Sequence, residues 1–382
     1  MSEAWQSALK RWLDAGLVDA ATADRIRSWE EGQGGGTRQG RLAVIAFSFG
    51  GLLLTAGILL FVAAHWDALS PGARFALVLA LVAVLHAGGA IASRSSPALS
   101  ATLHAVGTAA LGAGIFLSGQ IFHMAEHWPG ALLLWAVGAA VGVYLLRGWP
   151  QVLWLAVLAP AWLWGEWIVA QPPPYAVWNA MMPATIGTFL LACAYLAARP
   201  PDSSVRWRRA LAWLGTIALI PAVIVLAISH DADWRAVGGQ RPDVTGATRV
   251  IMWAIAILLP LALAWCLRGR EAVWMLAALG WALLVSQVSP RSDAGELAMY
   301  ALLAVGAAGV VLWGLRDQQR LAINVGVLGF ALAVLGFYFS SLYDRLGRAF
   351  GLIGIGILFI GGGWLLERAR RRLIGRMQRS RP

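Results

Sequence analysis

The chain has 382 residues, of which 59% are hydrophobic and 13% are charged. Soluble domains carry about 25% charged residues, so a water-soluble globule is excluded for want of polar surface. The formal charge of +11 does not point to nucleic acid, because the basic residues sit in short segments between apolar runs and at the two ends.

Apolar stretches of about 20 residues, enough to cross a hydrocarbon core, recur along most of the chain. In lipid every backbone N–H and C=O must be paired internally, which admits only helices or a closed barrel. Barrel strands alternate apolar and polar residues, whereas Leu42–Ala64 and Phe75–Ala92 are long apolar runs without that alternation. The expected fold is therefore all-α: a polytopic transmembrane helical bundle of about 12 spans.

In chain order, residues 1–41 come first. They are polar and lack an apolar core segment, so no cleavable signal is expected. They read as a short cytoplasmic helical hairpin. Trp5, Leu9, Trp12 and Leu13 share a face, Gly16 is a stop, and Asp19 caps a second helix carrying Ala23, Ile26 and Trp29. Gly32 to Gly40 form a flexible link. The hairpin is either a module that docks a protein partner or a lid on the bundle.

Spans follow at about 42–64, 73–93, 100–122, 130–146, 150–170, 178–198, 208–229, 249–267, 271–288, 295–315, 319–340 and 346–366. The chain thus divides into residues 1–41, an N-terminal transmembrane half at 42–170, and a C-terminal half at 171–382 that ends in an Arg-rich tail. Lys and Arg favour the cytoplasmic side of a membrane. With the N-terminus inside, 23 of the 30 basic residues fall in cytoplasmic segments; the other seven are Arg74, Arg235, Arg241, Arg249, Arg291, Arg345 and Arg348. Both termini are then cytoplasmic. Lys10 is the only lysine, and the wealth of Ala, Gly and Trp is that of a GC-rich bacterial genome. The expected location is the inner membrane of a bacterial cell.

Many of the 21 tryptophans fall at span ends, Trp66, Trp128, Trp149, Trp178, Trp207, Trp234 and Trp364 among them, where an amphipathic ring prefers the headgroup level. Gly107, Gly112, Gly114 and Gly119, and later Gly351, Gly354, Gly356 and Gly361, read as helix-packing faces. Cys193 and Cys266 lie inside apolar runs and form no metal or disulfide pattern.

Several of these residues carry a family likeness. Leu9-x-x-Trp12-x-x-x-Gly16-Leu17-Val18, Ala63-Ala64-His65-Trp66-Asp67, Gly119-Gln120-Ile121-Phe122-His123 and Leu134-Trp135 stand in the order and spacing of the bacterial domain-of-unknown-function family 2157, which the chain resembles over residues 5–150. That family usually has Asn before the Trp-Asp pair, so a role resting on an amide does not carry over to His65. The resemblance implies a multi-pass membrane protein and no particular activity.

Candidate functional residues gather at the outer rim: His65, Asp67, Gln120, His123, Glu126 and His127. On a continuing helix His123 and His127 would share a face, and with Glu126 they could hold a divalent metal or relay protons. Ordinary solvation at a span end explains the same residues. Glu166, within span five, is either turned into a wet interior or extended to the nearby interface. His86 and His104, inside spans two and three, are suited to a hydrogen bond between helices. No Walker loop, nucleophile elbow, His-Glu-x-x-His or Cys-x-x-Cys pattern occurs, and no cofactor is expected. Three readings stay open, in this order: a bundle that binds or moves a small solute, ion or lipid; a structural or regulatory component; and an intramembrane enzyme using Glu166 or His123 as base. The expected surroundings are the lipid bilayer and no nucleic acid.

Overall fold

The computed structural model describes residues 9, 11–28, 70–122, 127–170, 176–198, 205–229, 246–290 and 292–342, with isolated positions between 46 and 60 and at 356, 360 and 361. Among these, all regular structure is helical. Eight stretches are long and apolar enough to cross a membrane. The chain forms two compact units, Met1–Ala159 and Pro160–Pro382.

The first unit begins with helical turns at 11–14 and 20–28. Between them Gly16 has φ 66. Its N–H donates to the Leu13 carbonyl and that of Leu17 to the Trp12 carbonyl. These two bonds are the Schellman closure of a helix C-terminus, which needs a left-handed residue at the position Gly16 occupies. Asp19 caps the next turn, accepting from the Thr22 N–H at 3.0 Å. Hydrogen bonding by Thr22 holds the Asp19 carboxyl below its usual range.

Four long helices follow, the last of which runs on past Ala159 into the second unit: α1 (Pro71–Ala92), α2 (Pro97–Phe122), α3 (Trp128–Leu146) and α4 (Trp149–Val169). Ser70 caps α1, accepting from the Ala73 N–H, and Pro71 occupies the first position, where its missing donor costs nothing. A short turn at 93–96 returns the chain as α2. The two helices run antiparallel, pairing Val78 with Gly114, and Gly88 with Leu103. Trp128 and Trp149 are the first residues of α3 and α4, as the interfacial preference of indole requires.

The second unit holds α5 (Ala176–Leu196), α6 (Arg206–Ile228), α7 (Gly246–Arg268), a 3₁₀ segment (Gly269–Val273), α8 (Trp274–Val285), α9 (Asp293–Arg316) and α10 (Arg320–Phe337), closed by a π turn (Tyr338–Leu342). α5 is its central helix, and Ile186, Leu190 and Ala194 are fully buried. A Cβ at Gly215 of α6 would overlap the Leu196 and Ala192 backbone, and one at Gly187 would meet Ala256 of α7 at 3.3 Å. The Phe189 ring lies 5.1 Å from that of Trp281 on α8. One stretch of α5 thus touches the middle of both α7 and α8. The apolar run Gly246–Val285, 40 residues long, therefore doubles back instead of continuing straight. The reversal falls at Gly269, with φ 59, a conformation glycine adopts without steric cost.

Helices stand at ten of the expected spans. Those at 42–64 and 346–366 lie almost wholly outside the described residues, as do Trp5, Trp29 and the Arg-rich tail.

In lipid, helix association depends on close packing, and small residues at the contact are what allow it. Gly215→Val should therefore destabilise the protein by about 1–3 kcal/mol, the usual cost of overpacking. Gly280→Ala, where a Cβ meets nothing, should be neutral or stabilising by up to about 1 kcal/mol. Thermal unfolding midpoints of the two variants in one detergent check this, and equal midpoints would contradict it.

Candidate functional site

Of the expected rim residues, His65, Asp67, His123 and Glu126 lie outside the described residues, and of Gln120 only its place near the end of α2 is described. His127 is the N-cap of α3, with ψ 82. That backbone is not helical, so a single helix does not run on to put it on a face with His123. Glu166 is half-buried near the end of α4, where it accepts a hydrogen bond from the Trp162 indole at 2.9 Å, one turn earlier in the same helix.

The dense polar site of the described structure is elsewhere, inside the first unit. It is built on one turn of α2. The Nδ1 atoms of His86 on α1 and His104 on α2 are 3.0 Å apart. The Gln151 amide, from the first turn of α4, donates to the His104 carbonyl at 3.1 Å. The Thr108 hydroxyl donates to Gln151 Oε1 at 2.8 Å. Trp154 Nε1 donates to the Ala105 carbonyl at 3.1 Å, and Trp135 Nε1 to the Thr108 carbonyl at 2.7 Å. A carbonyl has two lone pairs, and a helix uses one. Side chains of α3 and α4 thus bind the second lone pair of three carbonyls on a single turn.

Glycines make room for these groups. Gly142 is covered by the Gln151 amide, and Gly112 lies beneath the Trp135 ring, where a Cβ would overlap it. The sequence marks Gly107, Gly112 and Gly114 as packing positions. In the structure the first two receive a histidine and a tryptophan ring, and the third receives Val78. At Gly356 and Gly361 a Cβ would meet nothing, while Gly351 and Gly354 lie outside the described residues. Trp135 and Gln151 were not legible as polar partners, because Trp135 sits in a continuous apolar run and Gln151 beside a helix start.

The second unit carries a feature of opposite character, a cavity of about 650 Å³. Its wall includes Phe189, Leu219, Met275, Trp281, Tyr300 and Trp313, with Arg268 and Glu271 at one end. Trp281 Nε1 donates to the Leu302 carbonyl at 2.8 Å. Its ring lies over Gly306, where a Cβ would overlap it. At the arginine end Arg268 is ion-paired with Asp317, both side chains being under 10% exposed. Arg316 reaches Glu271 at 4.0 Å and stacks over the Trp274 ring. Among the described residues no group of three or more His, Cys, Asp or Glu is placed to hold a metal ion.

Compared with known proteins, residues 10–150 match the family model described as "Predicted membrane protein (DUF2157)". That stretch contains α2 with His86 and Trp135, ends just before Gln151 and Trp154, and agrees with the likeness read from the sequence. No curated protein and no solved structure matches the chain.

The packing of Trp135 on α2 yields a graded expectation. Trp135→Phe, which removes only the indole donor, should cost about 0.6–1.7 kcal/mol, the range of interhelical hydrogen bonds in membranes. Gly112→Ala should cost more, about 1–3 kcal/mol, since the ring must leave its slot. Chemical or thermal unfolding of both variants decides the order, and the reverse order would rule the arrangement out.

Proposed function

We propose that the protein is a non-enzymatic, multi-pass component of the bacterial inner membrane whose C-terminal unit binds an amphipathic, lipid-like molecule. The observation that carries this reading is the cavity of about 650 Å³ walled by apolar side chains. Its volume falls within the roughly 300–1,000 Å³ usual for small-molecule sites. An acyl chain matches such a wall, whereas a polar solute or a bare ion would lose its hydration there without replacement.

The end of the cavity at Arg268 is the basic one. Arg270, Arg316 and Arg320 belong to the turns on that side, with Glu271 and Asp317 as partial counter-charges. Anionic headgroups are drawn to juxtamembrane arginines, so the ligand class is an anionic lipid with its chain in the cavity and its head at the arginine rim. In the native mass spectrum of detergent-purified protein, phosphatidylglycerol should be retained in preference to phosphatidylcholine of the same chains. Ala278→Phe, which puts a ring into the cavity wall, should weaken that retention about tenfold, equivalent to 1.4 kcal/mol. Equal retention of both lipids, or no loss in the variant, refutes this reading.

Around this unit the chain forms about twelve spans with both termini cytoplasmic. The distribution of arginine supports that threading, and the reversal at Gly269 supports counting Gly246–Val285 as two crossings. The arginine rim is then on the cytoplasmic side. Green fluorescent protein fused at the C-terminus should fluoresce, and alkaline phosphatase fused there should be inactive. An active phosphatase fusion contradicts the threading.

A further inference from the structure

α1 and α2 carry the same short pattern, His86-Ala87-Gly88-Gly89 and His104-Ala105-Val106-Gly107, and because they run antiparallel the two copies meet. Each histidine ring lies over the glycine of the opposite helix. A Cβ on Gly89 would stand 2.8 Å from His104 Cε1, and one on Gly107 would stand 2.9 Å from His86 Cδ2 and Nε2. The exchange brings the two Nδ1 atoms to 3.0 Å, with ring centroids 5.3 Å apart and planes inclined by 32°. Nothing in helix packing alone requires two nitrogens to face each other. A contact of 3.0 Å between them needs one proton in between.

We propose that His86 and His104 form an intramembrane proton-binding site that takes up a single proton per pair. In the neutral pair one ring carries its proton on Nδ1 and donates it to the Nδ1 of the other, which carries its own proton on Nε2. The Nε2 of the donor ring then holds the pair's one free lone pair. A hydronium ion gives its proton there: one O–H bond breaks, one N–H bond forms on the lone pair, and a water molecule is left. The result is an imidazolium hydrogen-bonded to a neutral imidazole. A second proton would have to enter the accepting Nδ1. That would oppose two N–H groups at 3.0 Å and set two cations side by side in a medium where their repulsion is severe. The capacity is therefore one. His86 is the less buried ring, and it is the one through which the proton exchanges.

Few other ionisable groups lie on the surrounding elements. On α1 and the turn after it these are Arg74 and Arg94. On α3 there are the N-capping His127, Tyr144, whose side chain is exposed, and the C-capping Arg147; on α4 there is Glu166, beyond Pro160 and outside this unit. The sequence of 42–64 contains no ionisable residue. The described acids of the unit, Asp14, Asp19 and Asp24, all precede α1. Among the described residues no carboxylate stands by the pair, and the charge gained on protonation is spread over the N–H···N bond itself. Gln151 and Thr108 hold the His104 turn in place through backbone and side-chain bonds and do not titrate.

Nitrogen-15 NMR of the full-length, histidine-labelled protein in lipid nanodiscs tests this. The expected result is a scalar coupling between the His86 and His104 Nδ1 nuclei. On lowering the pH from about 9 to about 4, across the ordinary histidine value near 6.5, one imidazolium should appear per pair. In His104→Asn the coupling should vanish and His86 should titrate as a lone imidazole. The proposal is overturned if the wild-type pair stays neutral throughout, if both rings become imidazolium, or if no coupling is present. The wild-type titration decides these outcomes alone, so a variant that fails to fold leaves the test intact.

Discussion

A side-chain donor buried between helices in lipid has no water to bind, and almost every backbone donor and acceptor is already engaged in its own helix. The acceptor that remains is the second lone pair of a helix carbonyl, and it is accessible only where the neighbouring surface is small. The protein meets this constraint twice in the same way. Trp135 donates to the Thr108 carbonyl with its ring over Gly112, and Trp281 donates to the Leu302 carbonyl with its ring over Gly306. In both cases the glycine lies four residues after the acceptor, one turn on along the same face. The glycine opens the surface, the indole fills it, and the hydrogen bond removes the cost of burying its N–H.

The same logic explains why the glycines of this chain serve two distinct purposes. Gly215, Gly187, Gly314 and Gly326 bring neighbouring backbones together, since a Cβ there would press on main-chain atoms of the opposite helix. Gly89, Gly107, Gly112, Gly306 and Gly336 instead face rings: two histidines, two tryptophans and Tyr300. The first kind sets interhelical distance. The second kind fixes the position of a polar group, and so where chemistry can occur.

Hydropathy made the helices legible, because about 20 apolar residues in a row admit few other structures in a membrane. Gly16 was legible as a stop, because a left-handed C-terminal residue selects glycine. The suitability of His86 and His104 for bonding across helices could also be read, since both lie inside apolar runs with a short turn between them. Trp135, Trp154, Trp281 and Gln151 could not be read as partners of particular carbonyls. An indole in an apolar run fits equally well facing lipid, and Thr108 and Gln151 are 43 residues apart in sequence. Periodicity reports which face of a helix a residue occupies, not which helix lies opposite. For the rim histidines, the helical register assumed beyond Phe122 is not the one His127 follows, because its own backbone opens α3.

The two units answer one physical demand in opposite ways. In the first, polar groups are buried and bonded to one another around one turn of α2, and the half-buried His86 ring is the group of the pair nearer the surface. In the second, the polar groups are held to the end of the bundle, where Arg268 and Asp317 neutralise each other. A buried pair of this kind adds little net stability, because desolvation opposes the attraction, but losing one partner strands a charge. Residues 10–150, the stretch that matches the family model, contain the histidine pair and its glycines in full. The cavity lies outside that stretch. The histidine pair therefore lies in the part of the chain that is similar to the family, and the cavity lies in the part beyond it.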